Sequence, residues 1–162
     1  MIIDGQERFA AAKFEDRSPA DTDVLLGIFQ KGGAQDANDA IAAAKRAFPA
    51  WSHTPWQERI ALVRKAAALM DQRIFEMGVV VSLEVGKNRM EAMGDVEESA
   101  DLFRYYAKSW EENNGFIKPL GKLSPNENTG THLRPFGVFV VVSPFNFPLA
   151  LAAGMSGAAL LG

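Results

Sequence analysis

From Pro135 to Gly162 the chain contains no Asp, Glu, Lys or Arg, and we call this stretch the uncharged end. Charged side chains almost always lie on the exposed surface of a folded domain, so a long stretch without them is expected to be buried or to lie in lipid. Its central part reads VFVVVSPFNFPLALAAG, residues 138–154, and contains a single amide side chain, Asn146. The uncharged end therefore limits the possible folds, and Asn146 within it requires an explanation.

Two interpretations compete for the uncharged end. Its length nearly suffices for a membrane-spanning helix of about 20 residues. Pro144 and Pro148 divide it, however, and residues 138–142 are rich in β-branched side chains. Proline disrupts a helix and β-branched residues favour strands, so the pattern favours a buried strand, a turn, and a helix that begins near Pro148.

A strand that is apolar on both faces and is followed by a helix is typical of the first half of a βαβ unit in a parallel sheet. The returning strand is not among the residues that follow, which end at Gly162. We therefore expect these 162 residues to be a fragment of a longer protein.

Composition excludes several classes of function. The net charge is −3 and no block of Lys or Arg occurs, which argues against nucleic acid as a partner. The absence of Cys excludes disulfides and a thiol nucleophile within this sequence. His53 and His132 match no metal-ligand spacing, so we expect no metal site. The first residues lack a secretory signal, and a cytoplasmic location is the default expectation.

The first half of the chain predicts short strands followed by helices. Residues 1–32 indicate two or three short strands, and residues 36–48 a first helix that ends at Pro49. Thr54 and Gln57 fit a capping box, which predicts a long second helix that Gly78 interrupts and Gly86 ends.

A third helix is predicted from about Arg89 to Glu112, and a projecting hairpin after Gly115. At 100° per residue, Glu98, Leu102 and Tyr106 form a line on roughly the opposite face from the core stripe of this helix. The residues alone favour a solvated Glu98.

The turn that joins the predicted last strand to the last helix is a candidate site. Ligands bind at the carboxyl ends of strands in open α/β sheets, and an Asn there can donate to an oxygen that becomes negative. From the residues alone, the more usual role of an Asn in such a turn is to cap or bridge it. The glycine fingerprint G-x-G-x-x-G of ordinary dinucleotide sites is absent.

The segment RPFGVFVVVSPFNFPLAL resembles the corresponding part of the aldehyde dehydrogenases, as do FRYYAKSW at 103–110, EVGKNRMEA at 84–92 and AFPAWSHTPWQERIALV at 47–63. The resemblance covers most of the chain in the family's order and is nearest to the 1-pyrroline-5-carboxylate (glutamate semialdehyde) dehydrogenases. It implies the N-terminal portion of an α/β fold, with helices, the start of a Rossmann-like parallel sheet and an oligomerisation hairpin.

The resemblance also implies roles for single residues. Asn146 matches the amide that stabilises the oxyanion formed when a cysteine attacks the aldehyde. Residues Val142, Ser143, Pro144 and Phe145 match the strand end and turn along the nicotinamide side of NAD or NADP, although Phe145 stands where Trp is commoner.

Two further residues match the family's aldehyde tunnel. Phe147 corresponds to an aromatic residue of the tunnel. Glu98 corresponds to a lining position where an acidic residue helps to hold the amino acid end of the substrate. The implied substrate is glutamate semialdehyde, and the implied product is glutamate. A dehydrogenase of broad specificity is the alternative within the family.

The family's nucleophilic Cys and general-base Glu lie beyond Gly162, so we expect the chain alone to be inactive. We expect three parts: residues 1–115 of the cofactor-binding domain, an oligomerisation hairpin at 116–136, and an incomplete Rossmann-like unit at 137–162. The part of the hairpin from Gly121 to Arg134 implies a homo-oligomer. A non-catalytic interaction module and a membrane-anchored protein remain as rival hypotheses.

Overall fold

The computed structural model describes all 162 residues, and its first part consists of two antiparallel hairpins. The first hairpin is β1 (Ile2–Ile3) with β2 (Gln6–Glu7), and the second is β3 (Ala12–Arg17) with β4 (Leu25–Lys31). The predicted short strands are thus confirmed, although there are four rather than two or three.

Five α-helices follow. They are α1 (Ala34–His53), α2 (Trp56–Gln72), α3 (Ile74–Val85), α4 (Arg89–Glu112) and α5 (Ala150–Leu161). The predicted bounds of α4 are confirmed, with the Asn88 side chain accepting a hydrogen bond from the Glu91 N–H at its start. None of the helices is long and apolar enough to cross a membrane.

The predicted end of α1 at Pro49 is wrong, because the helix continues to His53 with Pro49 inside it. The Trp51 Nε1–H in its last turn donates to the Leu160 carbonyl oxygen at 2.9 Å, so a contact with α5 holds the turn beyond the proline. The predicted capping box is also absent. The Thr54 hydroxyl instead donates to the Ala50 carbonyl oxygen at 3.2 Å.

The predicted long second helix is in fact two helices. The break lies at Arg73, whose φ and ψ are −111° and 17°, and not at Gly78. Gly78 lies buried inside α3, where an added Cβ would come within 3.3 Å of Met93 Cγ. Gly86 ends α3 with φ +72°, as predicted, because glycine tolerates this left-handed conformation.

Helix α4 is the centre of the core and packs against α2, α3 and α5. The main cluster of buried apolar side chains comes from α2, α4 and α5: Ile60, Val63, Ala67, Ala100, Phe103, Ala107, Ala153 and Leu161. Because α4 is contacted on more than one side, Leu102 lies against Gly154 of α5 and Tyr106 packs on the cluster. On the predicted line opposite the core stripe, Leu102 and Tyr106 are thus partly buried against other elements, whereas Glu98 is exposed.

After a 3₁₀ turn at Asn114–Phe116, the predicted hairpin is present. It pairs β5 (Ile117–Pro119) antiparallel to β6 (Gly130–His132). Gly137 after it has φ +116°, which agrees with the predicted turn at Pro135, Phe136 and Gly137.

The predicted strand at 138–142 is not formed. These residues pair with no other strand, and all three sheets are antiparallel pairs that lie elsewhere in the chain. A strand exists only through hydrogen bonds to a neighbouring strand, and none of the other strands lies beside this segment. Val140 and Val142 are 74% and 78% exposed.

Candidate functional site

The predicted site residues lie on the turn at residues 143–149, which we call the Asn146 turn and which leads directly into α5. Asn146 is exposed at its centre. Its side-chain amide takes part in none of the hydrogen bonds within the chain, so both its donor and its acceptor are free to meet a ligand.

Ser143 closes the turn. Its hydroxyl oxygen lies 3.2 Å from the Pro148 carbonyl oxygen and 3.4 Å from that of Phe147, and the single hydroxyl proton can be donated to one of them at a time. Ser143 therefore ties the start of the turn to its end.

The end of the turn is held by Asp95 of α4, a residue that the sequence did not single out. The Ala150 N–H, at the first position of α5, donates to Asp95 Oδ1 at 2.7 Å. Asp95 is fully buried, and a carboxylate at a helix N-terminus is favoured by the helix dipole. Asp95 lies three and seven residues before Glu98 and Leu102, on the face opposite the stripe that holds Met93 and Val96, so no break in that apolar stripe marks it in the sequence.

Lys87 joins Asp95 to the aromatic residue that follows Asn146. Its Nζ lies 3.3 Å from Asp95 Oδ2, and the Lys87 side chain is only 12% exposed. The same Nζ lies 3.5 Å from the centre of the Phe147 ring, a cation–π contact. The Ser82 hydroxyl donates to the Lys87 carbonyl oxygen at 2.7 Å and fixes the backbone there.

Glu98 is exposed on α4, one turn beyond Asp95. Asp95 contacts Ala150 and Leu102 contacts Gly154, so α4 and α5 run side by side in the same direction. Glu98 lies between those two contacts in sequence, and helical spacing places it near the side of α4 that meets α5.

The residues predicted to meet the nicotinamide present apolar surface. Val142 and Phe145 are 78% and 82% exposed, and Pro144 is exposed beside them. Exposed apolar and aromatic side chains next to a helix N-terminus suit a flat ring that carries polar groups at its edge. The residues present therefore fit the predicted cofactor.

Behind the Asn146 turn, Pro148 and Leu149 help to line an open cavity of about 290 Å³ against α3. Glu84 lies in the same lining, and burial raises the pKa of its carboxyl, with the charge of Asp16 adding to the effect. Larger cavities of about 450 and 470 Å³ lie around residues 135–141 and do not include Asn146. No group of three or more His, Asp or Glu side chains could hold a metal ion.

The model of the aldehyde dehydrogenase family matches residues 7–162 of this chain. An α-ketoglutarate semialdehyde dehydrogenase of Haloferax volcanii is 34% identical over 136 residues, which is 84% of this chain and 28% of that protein. The 1-pyrroline-5-carboxylate dehydrogenase 2 of Bacillus subtilis is 33% identical over 161 residues, 99% of this chain and 31% of that protein. The chain spans less than a third of the length of these curated relatives.

Solved structures of dehydrogenases also match this chain. A 1-pyrroline-5-carboxylate dehydrogenase from Thermus with bound NAD matches 98% of this chain, and 31% of its own, with a TM-score of 0.90 and 32% identity. An NADP-dependent glyceraldehyde-3-phosphate dehydrogenase from Bacillus halodurans, complexed with NADP, matches 99% of this chain and 34% of its own, with a TM-score of 0.89 and 28% identity. The predicted resemblance and α/β fold class are confirmed.

Proposed function

The chain belongs to the aldehyde dehydrogenase family, and we propose that the full-length protein oxidises an aldehyde to a carboxylic acid with NAD or NADP. The observation that carries the proposal is the free amide of Asn146 on a turn held from both ends. The bound nicotinamide would supply the acceptor for the hydride.

In this proposal Asn146 donates to the aldehyde oxygen while that oxygen gains negative charge. A fixed donor stabilises the transition state because little reorganisation is needed when the charge appears. Val142, Pro144 and Phe145 offer the apolar surface against which the nicotinamide packs, and Ser143 holds the turn closed. Since the 162 residues contain no Cys, they do not supply the nucleophile, and we propose that they are inactive alone.

The proposed substrate is glutamate semialdehyde, with Glu98 and Phe147 as substrate contacts. The relatives named 1-pyrroline-5-carboxylate dehydrogenase support this choice. The relative named α-ketoglutarate semialdehyde dehydrogenase acts by its name on another aldehyde that carries a carboxylate. A carboxylated semialdehyde is the substrate class common to both names. In this proposal the carboxylate of Glu98 selects the semialdehyde that also carries an ammonium group.

Replacing Asn146 by Ala in the full-length protein tests the catalytic role. We expect kcat to fall by about 100-fold or more, since that is the effect of removing one donor to an oxyanion. The control is Asn38→Ala, because Asn38 of α1 is also an exposed Asn without a side-chain hydrogen bond and lies outside both the Asn146 turn and the hairpin. Unchanged turnover of the Asn146 variant would exclude the role. A full-length protein that binds NAD and oxidises no aldehyde would favour the interaction module.

A second experiment tests the substrate. Glu98→Gln should raise KM for glutamate semialdehyde more than KM for a simple aliphatic aldehyde. Only glutamate semialdehyde carries an ammonium group, and the substitution removes the carboxylate with which that group would pair. Glu97→Gln, at the exposed neighbouring position of α4, is the control. Equal effects on both aldehydes would favour a dehydrogenase of broad specificity.

We also propose that the hairpin at residues 116–136, and within it the part from Gly121 to Arg134, contributes to a homo-oligomer. Leu120, Leu123 and Leu133 are 54%, 96% and 64% exposed on it, which supports an apolar contact with a second copy. Leu123→Asp should then lower the mass measured by sedimentation of the full-length protein, and an unchanged mass would contradict this role.

A further inference from the structure

We propose that Lys87 and Asp95 are positioning residues that fix the direction of the Asn146 amide. The inference rests on the proposed function, since it assigns to the pair an effect on the oxyanion donor. Neither residue is part of the turn, and both belong to the α3–α4 region that lies beneath it.

The first step is the contact at the end of the turn. Asp95 Oδ1 accepts from the Ala150 N–H at 2.7 Å, four residues after Asn146. Leu149, the residue before α5, has no polar side chain that could accept a hydrogen bond from the first turn of the helix. The carboxylate that accepts one instead comes from α4. Because Asp95 is fully buried and belongs to α4, which packs against α2, α3 and α5, this end of the turn is attached to the central helix of the core.

The second step is the contact next to Asn146. The Lys87 Nζ lies between Asp95 Oδ2, at 3.3 Å, and the Phe147 ring, at 3.5 Å from its centre. A single ammonium group thus satisfies the second carboxylate oxygen and holds the ring of the residue bonded to Asn146. Because the backbone of Phe147 continues directly from that of Asn146, a Phe147 ring held by Lys87 restrains the backbone that carries the amide.

The third step excludes a direct role for Lys87 with the ligand. The side chain is 12% exposed, and its ammonium group is already engaged by a buried carboxylate and an aromatic face. Asp95 is inaccessible, with a relative exposure of 0%. The pair can therefore influence the reaction only through the residues it holds.

The test uses Lys87→Met and Asp95→Asn in the full-length protein. Met keeps most of the length of Lys without its charge, and Asn keeps an oxygen that can accept from the Ala150 N–H while it loses the charge that holds Lys87. Lys65→Met is the control, because Lys65 is an exposed helical Lys that takes part in no ion pair. If one of the two variants fails to fold, the other still tests the pair.

We expect kcat to fall about tenfold or more in both variants, with KM changed by less than about threefold, because a misplaced donor weakens the transition state more than the ground state. In an Asn146→Ala background the same substitutions should reduce kcat by less than about threefold more, since the group that they position is gone. A role in stability alone would reduce kcat equally in both backgrounds, and that result would overturn the inference.

Hydrogen exchange gives a readout that does not depend on activity. The Ala150 and Leu151 amides donate to Asp95 Oδ1 and to the Phe147 carbonyl oxygen. They should exchange about tenfold faster or more in Lys87→Met and Asp95→Asn than in Lys65→Met, because removing one partner leaves a buried charge unpaired. Unchanged exchange would overturn the inference. If the wild-type protein oxidises no aldehyde, the proposed function fails and the exchange rates alone decide whether the pair holds the turn.

Discussion

Gly157 is expected to be the least replaceable glycine of α5. It is buried against α4, and a Cβ added to it would lie 2.6 Å from Cδ1 and 2.7 Å from Cε1 of Phe103. Phe103 is itself buried in the main apolar cluster between α2, α4 and α5. The substitution Gly157→Ala therefore places a methyl group where an aromatic ring already lies.

The size of the effect follows from comparison with Gly154→Ala on the same helix. Both substitutions gain about 1 kcal/mol of helix propensity, so this gain cancels in the difference between them. The Cβ at 154 meets Leu102 Cδ1 at 2.9 Å, which is the far end of a flexible, half-buried side chain that can rotate away. The ring of Phe103 cannot do so without displacing its neighbours, and such overpacking costs about 1–3 kcal/mol. Gly157→Ala should be less stable than Gly154→Ala by that amount.

Urea unfolding of the full-length protein, followed by tryptophan fluorescence, measures the difference. Trp110 lies against the same cluster as Phe103 and reports its opening. The wild type and the two variants are compared at one protein concentration, since the proposed oligomer would make stability depend on concentration. Equal midpoints for the two variants, or a higher midpoint for Gly157→Ala, would refute the close packing of α5 on α4.

Two other predictions concern stability. Burial, with the charge of Asp16, raises the pKa of Glu84, so the folded state disfavours its ionised form. Glu84→Gln should therefore increase the free energy of unfolding near pH 7, and the gain should vanish as the pH falls below about 4, where Glu84 is protonated in both states; a pH series of urea midpoints checks this. Trp51→Phe removes the donor to the Leu160 carbonyl oxygen and should lower the free energy of unfolding by about 0.5–1.5 kcal/mol, which thermal melting of the two proteins would detect.

Structural features that depend only on residues close by in the sequence could be predicted. Helix α4 begins at an Asn88 cap and carries a regular apolar stripe, so its bounds were predicted correctly. The end of α3 at Gly86 follows from the left-handed conformation that glycine accepts. The break at Arg73 has no comparable local signal, and the continuation of α1 beyond Pro49 depends on the contact of Trp51 with a residue more than a hundred positions away.

The same distinction applies to the candidate site. Asn146 stands out because it is the only amide in an uncharged segment between two prolines. The residues that hold its turn could not be predicted from the segment, because Asp95 precedes Ala150 by 55 positions and Lys87 is further away still. The strand predicted at 138–142 failed for a related reason, since a strand depends on a partner that its own sequence does not specify.

The carboxylate beside the Asn146 turn comes from α4, and this gives a physical reason why the turn itself carries no charged residue. A carboxylate placed within the turn itself could cap α5, but it would also stand near Asn146 and oppose a negative charge on a bound oxygen. Here the cap is Asp95, which belongs to α4 and whose charge is balanced by Lys87 at 3.3 Å. The first turn of α5 thus receives its hydrogen-bond acceptor without a net negative charge beside the amide. An oxygen that becomes negative at Asn146 would meet a free N–H donor and the positive end of α5, which is the electrostatic arrangement that the proposed reaction requires.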